Sequence, residues 1–401
     1  SNSELRFLMY KGIQVLDIDF NKIIEKNTAI LDIGSGSVQV SLFDKQALYM
    51  TQNLDIGTVK VREFLESVEN NVLDYISVLE EYIQYEFDMF KNGYLKDKDI
   101  KNVIAIGDEI KNINRLIPEL HLTDTMSYEQ ILYIYKKIKK ASYQDIALKY
   151  GLSIEDARMV LPSVLIYKIF LERSKADTIY ICATNLCDGS VVDYAQETKK
   201  IKLSHDFYQD IVASAKYIGK RYRYSKVHAQ YITDLALEIF DKTKKFHGLT
   251  QRDRLILEIS AILHDIGKYV NLNDPGKNGY QLIMSTEIMG LSHREREEVA
   301  NIVLYNTQEL PDTDELDTVF WREEYLRIAK LSSILRLANA LDRGHKQKLE
   351  KCSMARKGKE LIISLETNQD ITLEITRFSK KAENFSEFTG ITPVLKQKRA
   401  L

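Results

Sequence analysis

The chain has little of what would tie it to an unusual environment. Its 401 residues include three cysteines, five prolines and one tryptophan. Cys182, Cys187 and Cys352 are odd in number and follow neither CxxC nor zinc-ribbon spacing, which leaves no basis for a disulfide framework and fits reduced thiols in a cytoplasm. Charge of one sign is also missing, since 56 Lys+Arg stand against 58 Asp+Glu. With no overall field, neither a dedicated nucleic-acid binder nor a membrane partner is expected, and any anion site has to be local. No stretch approaches the ~20 apolar residues that cross a bilayer, and the N-terminus carries no signal-peptide core, so the expected location is cytoplasmic. Internal repeats and low-complexity segments are absent. What the chain does have is 44% hydrophobic residues, ample for the cores of two or three domains. It opens at Ser1 without an initiator Met and runs straight into the helix-like SELRFLMYKGI, as a fragment or a trimmed chain would.

The first third alternates strand and helix signals. TAILDIGSGSVQVSLF reads as a hairpin, REFLESVENNVLDYISVLEEYIQYEF as one long amphipathic helix, and KNVIAIGDEI as a strand ending at a glycine. SYQDIALKYGLSIEDARMVLPSVLIYKIFLERS is helical, and the apolar IYIC run adds a buried strand before Asp188 and Gly189 turn the chain. An α/β domain over residues 1–195 is expected. From 204 to 345 the period is 3.6 residues in YITDLALEIF, LILEISAIL and YLRIAKLSSILRLANAL, which predicts an all-α domain. In the last segment, 346–401, KELIISLET and DITLEITRF alternate apolar and polar residues around an Asn-Gln-Asp turn, and a helix-like KKAENFSEF leads into ITPVLK. A small α+β appendage is expected there.

Within the hairpin, a buried strand delivers Asp32 to the turn Gly34-Ser35-Gly36-Ser37, and a second strand leaves with Val38, Val40 and Leu42 on one face. Glycines let backbone N–H groups approach an anion. The GK[ST] and following helix of a P-loop are both missing, so the turn reads as a hairpin phosphate cradle. Asp32 at its mouth suits a magnesium-bound water or a general base. An ordinary tight hairpin, with Asp32 bonded to its own turn, fits the residues equally well.

AILDIGSGSVQVSLF resembles the second phosphate loop, DIGGGSTEL, of the exopolyphosphatase/guanosine pentaphosphate phosphatase family. LDIGTVKVREFL, VIAIGDEI and GLSIEDARMVLPSVLIYKIFL are similar to that family's next segments in the same order. The resemblance implies that the first domain is the second half of an actin-like (ribonuclease H-like) fold, with Mg2+ at the phosphate cleft. It also implies that Gly34, Ser35, Gly36, Ser37 and Gly107 bind phosphate. SNSELRFL is similar to the SGEEEARL segment, which implies Glu4 as the catalytic base beside Asp32; a solvated Glu at a helix start fits the residue equally well. Gln39 stands where the loop usually has Glu, Asp108 and Glu109 where small residues are usual, and Cys187 where Arg is. The family's first phosphate loop, DIGSNS-like, has no counterpart in the chain.

In the helical region, stepping back four residues from Ile232 on the apolar face of YITDLALEIF puts His228 on that face. The stripe Ile328, Leu331, Leu335 and Ala338 continues to Asp342, and LEISAILHDIGKYV ends with His264-Asp265. Four inward polar groups need a shared partner, because an isolated buried charge costs several kcal/mol. A divalent metal satisfies them, and so does a metal-free hydrogen-bonded core cluster. The pattern H, HD, D resembles the HD phosphohydrolase superfamily, which implies that His228, His264, Asp265 and Asp342 are metal ligands. Four protein ligands favour a mononuclear site, open to manganese, iron, nickel or zinc. LHDIGKYVN and LRLANALDRGHKQ are also similar to the C-terminal domain of the first family, with DPGKNGYQ and Asn306 replacing its further histidines. Lys216, Lys220, Arg221, Arg223 and Lys226 alternate with tyrosines as a wet helix face or a polyanion guide. The two resemblances imply a hydrolase of terminal phosphoanhydride bonds on polyphosphate or guanosine polyphosphate, as a homodimer. A non-catalytic binder of the same polyanions and a phosphohydrolase of the HD type are the alternatives.

Overall fold

The computed structural model describes residues 2–16, 18–69, 74–95, 99–116, 124–182, 184–311, 322–348 and 351–398. They fall into two compact units, Ser1–Ser214 and Ala215–Leu401. The first is built on a six-stranded mixed sheet of β1 (Thr28–Ile33), β2 (Val38–Asp44), β3 (Ala47–Leu54), β4 (Asn102–Ile106), β5 (Thr125–Ser127) and β6 (Thr178–Cys182), in the order β3-β2-β1-β4-β6-β5. β1, β2 and β3 run antiparallel in turn, β4 and β6 lie parallel to β1, and β5 is antiparallel to β6. Every residue of β1 is buried. That is why TAILDI reads as a continuous apolar run rather than as an alternation: both of its faces are covered. Asp32 pairs with Gln39 and Ile33 with Val38, which leaves Gly34 to Ser37 as the hairpin turn.

The helices of this unit are α1 (Asn2–Ile13), α2 (Phe20–Ile23), α3 (Thr58–Glu69), α4 (Tyr75–Phe90), α5 (Asp108–Asn114), α6 (Tyr128–Ile138), α7 (Tyr143–Tyr150), α8 (Ile154–Ser174) and α9 (Leu186–Glu197). Two expectations are corrected. The single long helix read across REFLESVENNVLDYISVLEEYIQYEF is two helices, and the second starts behind Asp74, whose side chain accepts the backbone N–H of Ser77. Residues 70–73 between them lie outside the described residues. Asp188 and Gly189 do not turn the chain but open α9, where Asn185 and Asp188 cap each other's backbone N–H in a reciprocal box. Gly189 has a packing reason: a Cβ there would stand 2.2 Å from the carbonyl oxygen of Leu8, so α1 and α9 touch backbone to backbone.

In the second unit, α10 (Phe207–Arg221) runs across the boundary and is followed by α11 (Lys226–His247), α12 (Gln251–Leu263), α13 (Pro275–Met284), α14 (His293–Tyr305) and α15 (Arg322–Ala340). Ile232, Ile239, Leu257, Val299, Leu331 and Leu335 are buried in its core. A three-stranded sheet follows, of β7 (Lys351–Lys357), β8 (Glu360–Glu366) and β9 (Thr392–Lys398), with α16 (Thr372–Thr389) between β8 and β9. DITLEITRF, one of the two alternating segments, is thus helical. Its alternation rests on Leu373 and Ile375, which are exposed, whereas the buried face is Glu374, Phe378, Phe385 and Thr389. β8 and β9 are parallel, and parallel neighbours need a crossover rather than a tight turn.

One glycine fixes the hairpin turn to the rest of the unit. A Cβ on Gly57 would fall 2.3 Å from the Ser35 carbonyl oxygen and 2.4 Å from the Ser37 nitrogen, so α3 begins in direct contact with the turn. Thr58 and Val59 donate their N–H groups to the Gly34 and Ser35 carbonyls at 3.0 Å. Gly57→Ala should therefore cost about 1–3 kcal/mol, as overpacking does. Gly36→Ala, where a Cβ meets nothing within 4 Å, should stay within about 0.5 kcal/mol of wild type in the same denaturant unfolding measurement.

Candidate functional site

Three side chains converge in the helical unit. His228 stands in the first turn of α11, behind Ser225, whose hydroxyl accepts its backbone N–H. His264 ends α12 and Asp265 opens the short 3-10 turn Ile266–Tyr269. Gly267 lets α13 lie on that turn, for a Cβ would be 1.9 Å from the Pro275 carbonyl oxygen. His228 Nε2 is 3.2 Å from His264 Nε2 and 3.8 Å from Asp265 Oδ2, and His264 Nε2 is 3.6 Å from Asp265 Oδ1. One ligand atom from each of the three lies within 4.8 Å of the others.

The outer nitrogens fix which tautomers are present. His264 Nδ1 faces the Ala261 carbonyl at 2.7 Å, and a carbonyl only accepts, so Nδ1 carries the proton. His228 Nδ1 donates to Asp342 Oδ2 at 2.8 Å. Both Nε2 atoms are then directed at each other and at the Asp265 carboxylate. Such a donor set of two imidazoles and a carboxylate fits a divalent transition metal. Burial lowers the pKa of His264 and keeps its ring neutral at physiological pH. Burial works to raise the pKa of Asp265, but the neighbouring His264 imidazole and the Lys268 ammonium hold its carboxyl down at about 2.

Asp342, expected as the fourth ligand, stands on the far side of His228. Its Oδ2 accepts from His228 Nδ1 and from Gln347 Nε2 at 2.7 Å, and its Oδ1 accepts the backbone N–H of Lys346 and Gln347. With both oxygens engaged, it orients the ring rather than joining the convergent three. Two neighbours escaped the sequence reading. Lys268 donates to Asp265 Oδ2 at 2.6 Å, and His345 stacks on His228 with ring centroids 3.5 Å apart and its Nε2 3.4 Å from Asp265 Oδ2. Their signal was proximity alone: Lys268 lies three residues after Asp265, and His345 three after Asp342.

The hairpin turn forms a second cluster, in the first unit. Ser35 and Gly36 are exposed and Gly34 and Ser37 half-buried. Asp32 is met there by Arg6 of α1, whose Nε donates to Asp32 Oδ2 at 2.7 Å. Arg6 also donates to Gln39 Oε1, to Asn53 Oδ1 at 3.1 Å and to Ser37 Oγ at 3.4 Å. Gln39 is wholly buried, and its Nε2 donates to Thr51 Oγ1, which fixes its oxygen toward Arg6. Glu4, half-buried, is in the first turn of the same helix.

Gly107 separates two acids. Its φ of 98° is open to glycine, and a Cβ there would lie 3.2 Å from Glu109 Oε2 and 3.8 Å from Asp32 Oδ1. Burial raises both carboxyl pKa values. Arg6 opposes the rise at Asp32, whereas the Asp32 charge adds to it at Glu109. Asp108 points out and pairs with Lys111 at 3.0 Å, and Cys187 is exposed on α9. Lys216, Lys220, Arg221, Arg223 and Lys226 are all exposed, whereas Asn306 is buried and accepts from Asn339 Nδ2 at 3.5 Å. Among the described residues, no helix is long and apolar enough to cross a membrane.

Residues 212–382 match the family model "Ppx/GppA phosphatase, domain III". No curated protein sequence matches the chain. Among solved structures, the chain is similar to the Ppx/GppA family member of Aquifex aeolicus at 15% identity and a TM-score of 0.41, covering 49% of this chain and 63% of that one. It is similar to the type II variant of the Aquifex aeolicus Ppx/GppA phosphatase at 17% identity, with a TM-score of 0.39 and coverage of 47% and 62%. An exopolyphosphatase from Cytophaga hutchinsonii shares 14% identity, with a TM-score of 0.40 and coverage of 50% and 64%. The chain thus spans less than two-thirds of the length of these proteins. The segment 212–382 is thus similar to domain III of the Ppx/GppA phosphatases.

Proposed function

We propose that the chain is a phosphohydrolase of phosphoanhydride bonds, acting on inorganic polyphosphate or guanosine pentaphosphate, whose terminal phosphate enters the turn Gly34–Ser37. The observation that carries this reading is the turn itself. A fully buried strand carries an acid one residue before its end, and the turn that follows is exposed beside the start of α3. The six-stranded sheet is then one half of an actin-like fold, and Glu4 and Asp32 are the carboxylates that activate water. The match of residues 212–382 to a Ppx/GppA phosphatase domain supports the reaction type. If Asp32 holds the attacking water, Asp32→Asn should lower the rate of phosphate release from tripolyphosphate by roughly 10²–10⁴-fold, and Glu4→Gln should do the same. Unchanged turnover in Asp32→Asn together with loss in Asp265→Asn would move the reaction to the helical unit.

That outcome belongs to the second reading, favoured by the three converging ligand atoms: an HD-type metal site around His228, His264 and Asp265. A bound divalent metal would supply Lewis-acid polarisation of a phosphate oxygen and a water of lowered pKa. His228 and His264 would hold it through Nε2 and Asp265 through its carboxylate, while Asp342 fixes the His228 ring. Purified protein should contain about one manganese, iron, nickel or zinc ion per chain by elemental analysis. His264→Ala should lose it. Asp342→Asn should weaken metal binding by about 10–100-fold without abolishing it, as loss of an orienting partner does. Chelation should lower the melting temperature and metal re-addition should restore it. Chelator-insensitive melting of a metal-free protein would reject the site.

The metal-free protein has a pH signature of its own. The folded pKa of His264 lies below the ordinary imidazole value, so below pH ~6.5 the unfolded chain takes up the proton first. The folded pKa of Asp265 is also depressed, and its contribution is lost as pH falls toward about 2. Both effects have the same sign, and stability measured in chelator should decline on acidification from neutral pH.

A further inference from the structure

We infer that Arg6 is the resident cation of the hairpin turn: its guanidinium fills the seat among Asp32, Gln39, Asn53 and Ser37, so the turn takes no divalent ion and any phosphate bound there is bound metal-free. This rests in part on the phosphate reading of the turn. It departs from the magnesium that the resemblance implies.

The fit of magnesium to this donor set is poor on three counts. The first is charge. Asp32 contributes one negative charge, and Gln39 and Asn53 are neutral amides, so one guanidinium already balances the seat and a dication would leave it positive. The second is occupancy. Arg6 is only 8% exposed, its Nε holds Asp32 Oδ2 at 2.7 Å, and its terminal nitrogens take the oxygens of Gln39, Asn53 and Ser37. A metal entering here would have to expel a buried, multiply bonded cation. The third is size. Magnesium demands oxygens at about 2.0–2.1 Å in near-octahedral array. These oxygens are spaced around a planar fork at donor–acceptor distances of 2.5 to 3.4 Å, which suits guanidinium and not a compact ion.

Gln39 shows that the seat is built for this occupant. It is 0% exposed, and its amide orientation is set from both ends, with Nε2 donating to Thr51 Oγ1 and Oε1 receiving Arg6. A carboxylate at position 39 would bring a second buried negative charge and would have nothing to donate to Thr51. The amide supplies an acceptor toward the guanidinium and a donor on its other side. Arg6 reaches the seat from α1, which is held in place from outside it: Tyr10 donates its hydroxyl to Ser41 Oγ at 2.8 Å, and Lys11 pairs with Asp193.

Manganese stoichiometry reads the inference directly. Wild-type protein titrated with Mn2+ and followed by electron paramagnetic resonance should show no site that is lost in Asp32→Asn, whether or not the His264 site fills. An Asp32-dependent Mn2+ ion in wild type overturns the inference. The double variant Arg6→Ser with Gln39→Glu empties the seat and adds a carboxylate, and it should gain one Mn2+ per chain. Should that variant fail to fold, the wild-type and Asp32→Asn titrations still decide. In a second arm, tripolyphosphate binding is followed by calorimetry in EDTA and in Mg2+. Binding in EDTA that Ser37→Ala weakens at least tenfold is expected. Binding that requires Mg2+ and Asp32 together overturns the inference. No binding under either condition removes the phosphate reading of the turn, while the manganese titration continues to judge Arg6.

Discussion

A carboxylate at the end of a strand buried along its whole length has to be met by a positive charge, and much of the first unit is arranged around the one that meets Asp32. Leaving such an acid unpaired in a low-dielectric interior costs several kcal/mol. Arg6 comes from a helix 26 residues earlier, so the pair ties α1 to the hairpin. The same helix is held by α9, where Gly12 and Gly189 let the two backbones approach closely, with a Cβ on Gly12 already 3.3 Å from the Gly189 nitrogen. Gly57 does the same for α3 on the other side of the turn. The turn is thus gripped by a guanidinium from one helix and by backbone from another, and its exposed residues are displayed on a rigid frame.

The helical unit meets the same constraint with different chemistry. There the inward groups are two imidazoles and a carboxylate, and their geometry brings the three together at one point. Each ring is steered from behind, His264 by the Ala261 carbonyl and His228 by Asp342. The steering groups differ in kind. A carbonyl fixes the tautomer, whereas a carboxylate also makes the imidazole a stronger electron donor at its far nitrogen. Lys268 then holds one oxygen of Asp265, which leaves that acid partly neutralised.

How much of this the sequence revealed depended on range. His228, His264 and Asp342 were legible because each falls in phase with an apolar helical stripe, and a polar residue in that phase is turned inward whatever the rest of the fold does. The phase says that Asp342 is buried; it does not say which nitrogen of His228 it meets. That depends on the turn after α15, where the backbone N–H groups of Lys346 and Gln347 claim its other oxygen. Arg6 was not legible, because a lone arginine in an amphipathic helix is ordinarily a solvated residue and only tertiary placement of α1 carries it to Asp32. DITLEITRF misled for a related reason. Its local alternation is genuine, but the parallel pairing of β8 with β9 forces a crossover through it, and the crossover buries a different set of residues.

The two solutions do not lend themselves to the same reaction. A guanidinium has a fixed charge at any pH a protein survives, and it cannot give up a proton or acidify a water. With Arg6 as its only cation, the turn would have to draw its base from a carboxylate. Of the acids nearby, Asp32 has one oxygen committed to Arg6 and the other facing Gly107 and Glu109. The like charge of Glu109 across that glycine favours a protonated form of one of the two, and a protonated acid cannot act as base. Burial raises both; Arg6 opposes the rise at Asp32, while the Asp32 charge adds to it at Glu109. Arg6 therefore does more than hold a helix in place: by pairing with Asp32, it favours the ionised form of the acid beside the turn.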